Sequence, residues 1–79
     1  MSPTVFTEGP YRFYFFSREE PRMHVHVTSG DGEAKFCLEP IVSLASSQGY
    51  SKRQLRDLHR RVERHQNEIS SAWEKHFGS

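Results

Sequence analysis

Between Met23 and Leu38, apolar and polar side chains alternate on either side of a glycine-rich turn, and that pattern leaves few folds open. Met23-His24-Val25-His26-Val27-Thr28 runs into Ser29-Gly30-Asp31-Gly32, after which Glu33-Ala34-Lys35-Phe36-Cys37-Leu38 alternates again. A period of two marks a strand with one buried face, and a Gly-Asp-Gly signal between two such runs marks a hairpin. With residues 29–32 as the loop, Thr28 faces Glu33, Val27 faces Ala34, His26 faces Lys35, Val25 faces Phe36, His24 faces Cys37 and Met23 faces Leu38. Directly opposed residues share a face of the sheet. One face is then wholly apolar, and the other carries His24, His26, Lys35 and Cys37. A slip of one residue would mix the two sets.

The flanking segments extend the same plan. Thr4 to Thr7 reads as a short strand stopped by Glu8-Gly9-Pro10. Tyr11 to Phe16 is rich in β-favouring rings, with Tyr11, Phe13 and Phe15 on one face and Arg12, Tyr14 and Phe16 on the other. Residues 17–22 are polar, contain Pro21 and read as a loop. Ile41 to Ala45 fits either a further short strand or a helical turn, and Ser46-Ser47-Gln48-Gly49 reads as a loop. Ser51 is a fitting N-cap, Gln54 completes a capping box, and Tyr50 with Leu55 forms a hydrophobic staple. Leu55, Leu58, Val62, Ile69, Ala72 and Trp73 or Phe77 then keep helical spacing, with Gly78 as the terminating residue. These elements predict an α+β fold in one domain, residues 1–79. Its antiparallel sheet has three to five strands, a β-meander over about 4–7, 11–16, 23–28 and 33–39. It packs on one long C-terminal helix over about 52–77, roughly 39 Å of rod.

Only 34% of the chain is apolar, and a domain this short buries only about 60% of its unfolded surface. Ten aromatic residues supply much of the available area. Cys37 is the single cysteine, so no intrachain disulfide can brace the core. That fits a reducing, cytoplasmic setting, as does the absence of any apolar run long enough for a membrane span or a signal peptide. One helix can cover one face of the sheet. The other face stays open, which makes it the interaction surface.

Three constellations bear on chemistry. His24 and His26, two apart on a strand, point the same way beside Lys35, an arrangement suited to acid–base work. With Cys37 they also suit a metal, although two imidazoles and one thiol do not complete a structural zinc site. Arg12, Tyr14 and Phe16 add a cation and two rings to the same face, the elements of a nucleic-acid or partner contact. On the helix, Arg53, Arg56, Arg60 and Arg64 recur at spacings of three and four, and the segment 51–79 carries seven Lys/Arg against four Asp/Glu. Such a stripe contacts phosphate or is simply a solvated face. The Ser29-Gly30-Asp31-Gly32-Glu33 stretch leads into no helix and lacks a lysine–serine pair, so it is a turn and not a phosphate loop.

The combination of Pro3-Thr4-Val5-Phe6, Tyr11-Arg12-Phe13-Tyr14-Phe15, His24-Val25-His26-Val27, Gly30-Asp31-Gly32-Glu33-Ala34-Lys35-Phe36 and Leu38-Glu39-Pro40 resembles a small prokaryotic family. It is the one catalogued as domain of unknown function 4160, and the likeness spans nearly the whole chain. Some members are labelled as DhiT-like toxins of type II toxin–antitoxin pairs. The resemblance implies a cytoplasmic protein with a cognate antitoxin as partner and a target in RNA or translation. It brings no established catalytic mechanism and no cofactor. Members often carry a bulky residue where this chain has Cys37, which weakens any thiol chemistry or metal role for it. Two functions from different classes follow. One is a toxin-like component acting on RNA, with His24 or His26 as acid or base and Lys35, Arg12 and the helix arginines on phosphate. The other is a non-catalytic module that binds a protein partner or a second copy of itself. A metal protein built on the histidines is the remaining alternative.

Overall fold

The structure is a computed structural model and describes residues 4–15 and 22–77. Five antiparallel strands follow one another as a meander: β1 (Thr4–Glu8), β2 (Tyr11–Tyr14), β3 (His24–Ser29), β4 (Gly32–Cys37) and β5 (Ser43–Gln48). Two helices, α1 (Lys52–Arg64) and α2 (Gln66–Phe77), complete the fold. The expected positions of Phe16, the 17–21 loop and Gly78 lie outside the described residues.

The β3–β4 register is the one the alternation demands. His24 pairs Cys37, Val25 pairs Phe36, His26 pairs Lys35, Val27 pairs Ala34 and Thr28 pairs Glu33. Pairing also includes Ser29 and Gly32, so the loop narrows from four residues to Gly30 and Asp31. On the apolar face, Phe13, Phe15, Val25, Val27 and Phe36 are buried together with Leu58 and Val62 of α1 and Ile69 and Trp73 of α2. Each fully buried Phe is worth about 1.5–3 kcal/mol over its exposed state, which is how few side chains close the core.

Both edge strands carry an extra residue. In β1, Thr4 pairs Tyr14 but Phe6 pairs Phe13, leaving Val5 as the bulge. In β5, Ser46 pairs Lys35 but Leu44 pairs Phe36, leaving Ala45 as the bulge. A bulge re-aims the residues beyond it. Here it turns Phe6, Glu8 and Leu44 toward the helix side, where Phe6 stacks on Phe13 with ring centres 4.3 Å apart. β5 corrects the sequence reading of residues 46–49 as a loop. Ser46, Ser47 and Gln48 are strand, and because all three are polar and exposed no alternation reveals it.

Ser51 caps α1 with the expected box: Gln54 N donates to Ser51 Oγ at 3.1 Å, and Ser51 N donates to Gln54 Oε1 at 2.8 Å. Just before it, Gly49 has φ +93° and sits back to back with Gly32. A Cβ on Gly49 would strike the Asp31 carbonyl oxygen, and one on Gly32 would strike the Gln48 carbonyl oxygen. The β3–β4 turn and the entry to α1 therefore meet backbone to backbone.

The single 26-residue helix of the sequence reading is instead two. No proline or glycine lies within 52–77, so no local breaker ends α1. The break falls at His65, whose backbone leaves helical geometry at φ −100° and ψ 16°. His65 occupies the place in the stripe between Val62 and Ile69, and β1 holds it there. Its Nε2 donates to Glu8 Oε2 at 2.8 Å, its Nδ1 donates to Glu68 Oε1 at 2.9 Å, and its ring lies 4.3 Å from that of Phe6. Arg61 donates to Glu8 at 2.7 Å and to Asp57 at 2.9 Å. The hydrogen bonds from His65 and Arg61 hold the Glu8 carboxyl below its ordinary value of 4.5. The bond to Glu8 chiefly raises His65 above its ordinary 6.5, with burial opposing and Glu68 assisting.

Two outcomes follow for stability. Gly49→Ala should destabilise the fold by at least about 1–2 kcal/mol, the cost of forcing a side chain into left-handed backbone, and urea denaturation measures it. The Glu8–His65 pair is complete between the unfolded-state values of 4.5 and 6.5. A raised His65 contributes stability that is lost as pH climbs from 6.5 through its folded value, and a lowered Glu8 contributes stability that is lost as pH falls below 4.5. The denaturation midpoint of the wild type should therefore drop more steeply with rising pH than that of Glu8→Gln. Parallel curves from about pH 6 to pH 9 would show that the coupling is absent.

Candidate functional site

On the sheet face turned away from the helices, strand pairing sets side chains in rows. Tyr14 stands opposite His26, His26 opposite Lys35, and Lys35 opposite Ser46. Beside this row run Arg12, Thr28, Glu33 and Gln48, each opposite the next. The Arg12 guanidinium lies over the Tyr14 ring, 4.6 Å from its centre, and its Nε donates to Thr4 Oγ1 at 2.8 Å. The Tyr14 ring in turn stacks on His26, with centres 5.3 Å apart and planes 24° apart. Tyr14, His26, Glu33, Lys35, Ser46 and Gln48 line a cleft of ≈ 430 Å³. The chemistry on offer is aromatic and of mixed charge, Lys35 and Glu33 in the cleft with Arg12 beside Tyr14, and amide and hydroxyl groups line one wall.

The face is not as open as the alternation alone implies. His24 is 1% exposed. Its Nδ1 donates to the Arg22 carbonyl at 3.0 Å, and its ring meets that of Trp73 at 5.1 Å and that of His26 at 5.4 Å. Trp73 of α2 reaches both Phe15 and His24. A buried imidazole committed to a backbone carbonyl is poorly placed to meet a substrate. His26 lines the cleft and is half-buried, with its Nε2 shielded from solvent.

The remaining expected residues fall into separate places. Cys37 is half-buried, opposite His24 on one side and Ser43 on the other. Among the described residues no three His, Cys, Asp or Glu side chains gather as a metal site, so His24, His26 and Cys37 do not form a ligand set. Arg53, Arg56, Arg60 and Arg64 are exposed on α1. Because α1 covers the apolar face, its arginines belong to the other layer and do not join the Arg12–Lys35 rows. Phe16 lies outside the described residues. Glu33, Ser46 and Gln48 line the cleft without having been singled out in the sequence. The signal for Glu33 was its place opposite Thr28; the β5 residues had none, because a run of polar, exposed side chains shows no period of two.

The two histidines should separate in a stability measurement. His24→Ala, truncating a fully buried ring, should cost roughly 2–4 kcal/mol. His26→Ala, losing mainly one stacked pair, should cost about 1 kcal/mol. Equal costs in urea denaturation would contradict the burial difference.

No helix among the described residues is long and apolar enough to cross a membrane. No curated protein and no solved structure matches the chain. One family model does match, over residues 11–74, from the start of β2 to just past Trp73, so that it takes in both rows of the polar face. The chain belongs to that family, DUF4160, a domain of unknown function.

Proposed function

We propose that the polar face of the sheet is a docking ledge for RNA. In this reading the chain is the toxin-like member of a type II toxin–antitoxin pair that acts on RNA or on translation by binding, and a small antitoxin neutralises it. The observation that carries the reading is the row Tyr14–His26–Lys35–Ser46 with Arg12 over Tyr14, bordering a cleft of ≈ 430 Å³. Cations beside stacked rings suit a single strand, whose phosphates meet Arg12 and Lys35 while bases lie on flat aromatic surface. Burial of His24 and shielding of His26 Nε2 favour holding over cutting. General acid–base cleavage needs an imidazole nitrogen within hydrogen-bond reach of the ribose hydroxyl or the leaving oxygen.

Two assays test it together. In inducible expression, the double variant Arg12→Glu, Lys35→Glu should lose growth arrest, whereas His26→Ala, which removes one stacked ring and leaves both cations, should weaken it without abolishing it. In anisotropy titrations with a single-stranded RNA, removing each phosphate contact should flatten the salt dependence by about 0.7 in log–log slope. Appearance of cleaved RNA that requires His26 would replace binding with catalysis. RNA affinity unchanged in the double variant would reject the ledge.

A further inference from the structure

β5 is an edge strand, paired with β4 alone, and all six of its residues are exposed. Its sequence, Ser43-Leu44-Ala45-Ser46-Ser47-Gln48, holds neither a charge nor a proline, two of the usual blocks on pairing with another chain. The bulge at Ala45 sets Leu44 on the helix side, where it remains 41% exposed. Ile41 just before the strand is 65% exposed. Leu44 and Leu55, above the buried Phe36, floor a groove of ≈ 410 Å³ between β5 and α1. The groove's wall carries two arginines, and its one acid, Glu63, is paired with His59 at 3.5 Å. Arg56 and Arg60 line it, and Arg53 stands one turn before them. These arginines make no ion pair with the described residues, in contrast to Arg61, which is committed to Glu8 and Asp57.

We infer that this edge captures an extended acidic segment of a partner protein. The segment adds to β5 as a sixth strand, seats an apolar side chain over Leu44 and Leu55, and sets its carboxylates against Arg56 and Arg60. Strand addition takes affinity from backbone hydrogen bonds and specificity from such a pocket. Charge complementarity selects this occupant. A second copy of the chain, paired edge to edge about a twofold axis, would bring two arginine walls together. RNA would leave both the strand edge and the apolar floor unused. The groove lies on the helix side of β5 and the RNA ledge on the opposite side, where Ser46 and Gln48 line the cleft; the inference does not rest on the RNA proposal.

The test is a selection of short random peptides displayed on phage against the folded full chain. Enriched peptides should alternate acidic with apolar residues and slow amide hydrogen exchange across Ser43–Gln48. Their affinity should fall about tenfold or more in Arg56→Glu, Arg60→Glu, the scale of close charge pairs, and likewise in Leu44→Asp, with the circular dichroism of both variants unchanged. Four results would each overturn the inference: peptides with no acidic bias, protection elsewhere in the chain, affinity indifferent to the reversed arginines, or a homodimer in light scattering that protects β5 by itself.

Discussion

The pairing of β3 with β4 is the constraint on which the rest depends. Once Val25 stands opposite Phe36 and Val27 opposite Ala34, one plane of the sheet is apolar and must be covered. The opposite plane receives His26 and Lys35 as neighbours. β2 joins in phase, adding Phe13 to the first plane and Tyr14 to the second. The edge strands do not carry a matching alternation, and a bulge in each brings Phe6, Glu8 and Leu44 round to the helix side. The fold thus spends two irregularities, both at edges where an unpaired residue disturbs only one ladder, to keep the central register intact.

The helical layer answers to the same sheet. Leu58, Val62, Ile69 and Trp73 make one stripe, interrupted at His65. A histidine there meets the carboxylate that the β1 bulge has turned inward, and the ion pairs among Glu8, Arg61 and His65 hold the corner of the helical segment against the edge of the sheet. Trp73 packs against both His24 and Phe15, which takes His24 out of the open face. The exposed surfaces divide into two chemistries. Arg12, Tyr14, His26 and Lys35 gather on the bare sheet, and the α1 arginines flank a groove on the other layer. They cannot act on one phosphate together, as a reading from sequence alone had them do.

What was legible depended on whether a residue's role was local. The β3–β4 register, the faces of β2, the capping box at Ser51 and the members of the helical stripe are all written in short-range periodicity, and each stands in the structure. The Arg12–Tyr14–His26–Lys35 cluster was legible for the same reason, since strand parity alone assigns those side chains to one face. β5 was hidden because Ser46, Ser47 and Gln48 are all polar and exposed, so no period of two marks them. The helix boundary at His65 was hidden because nothing local marks it, and the carboxylate His65 meets there, Glu8, is 57 residues away in sequence.

The sequence by itself determined the class of fold, the central hairpin and which side chains share the polar face, because nearest-neighbour alternation assigns each side chain to a face without reference to the rest of the chain. Only the tertiary structure decided that His24 is buried, that His26 and Lys35 border a cleft with Ser46 and Gln48, and that the arginine stripe belongs to a separate surface. Those outcomes turn on contacts between segments distant in sequence, which local periodicity does not record.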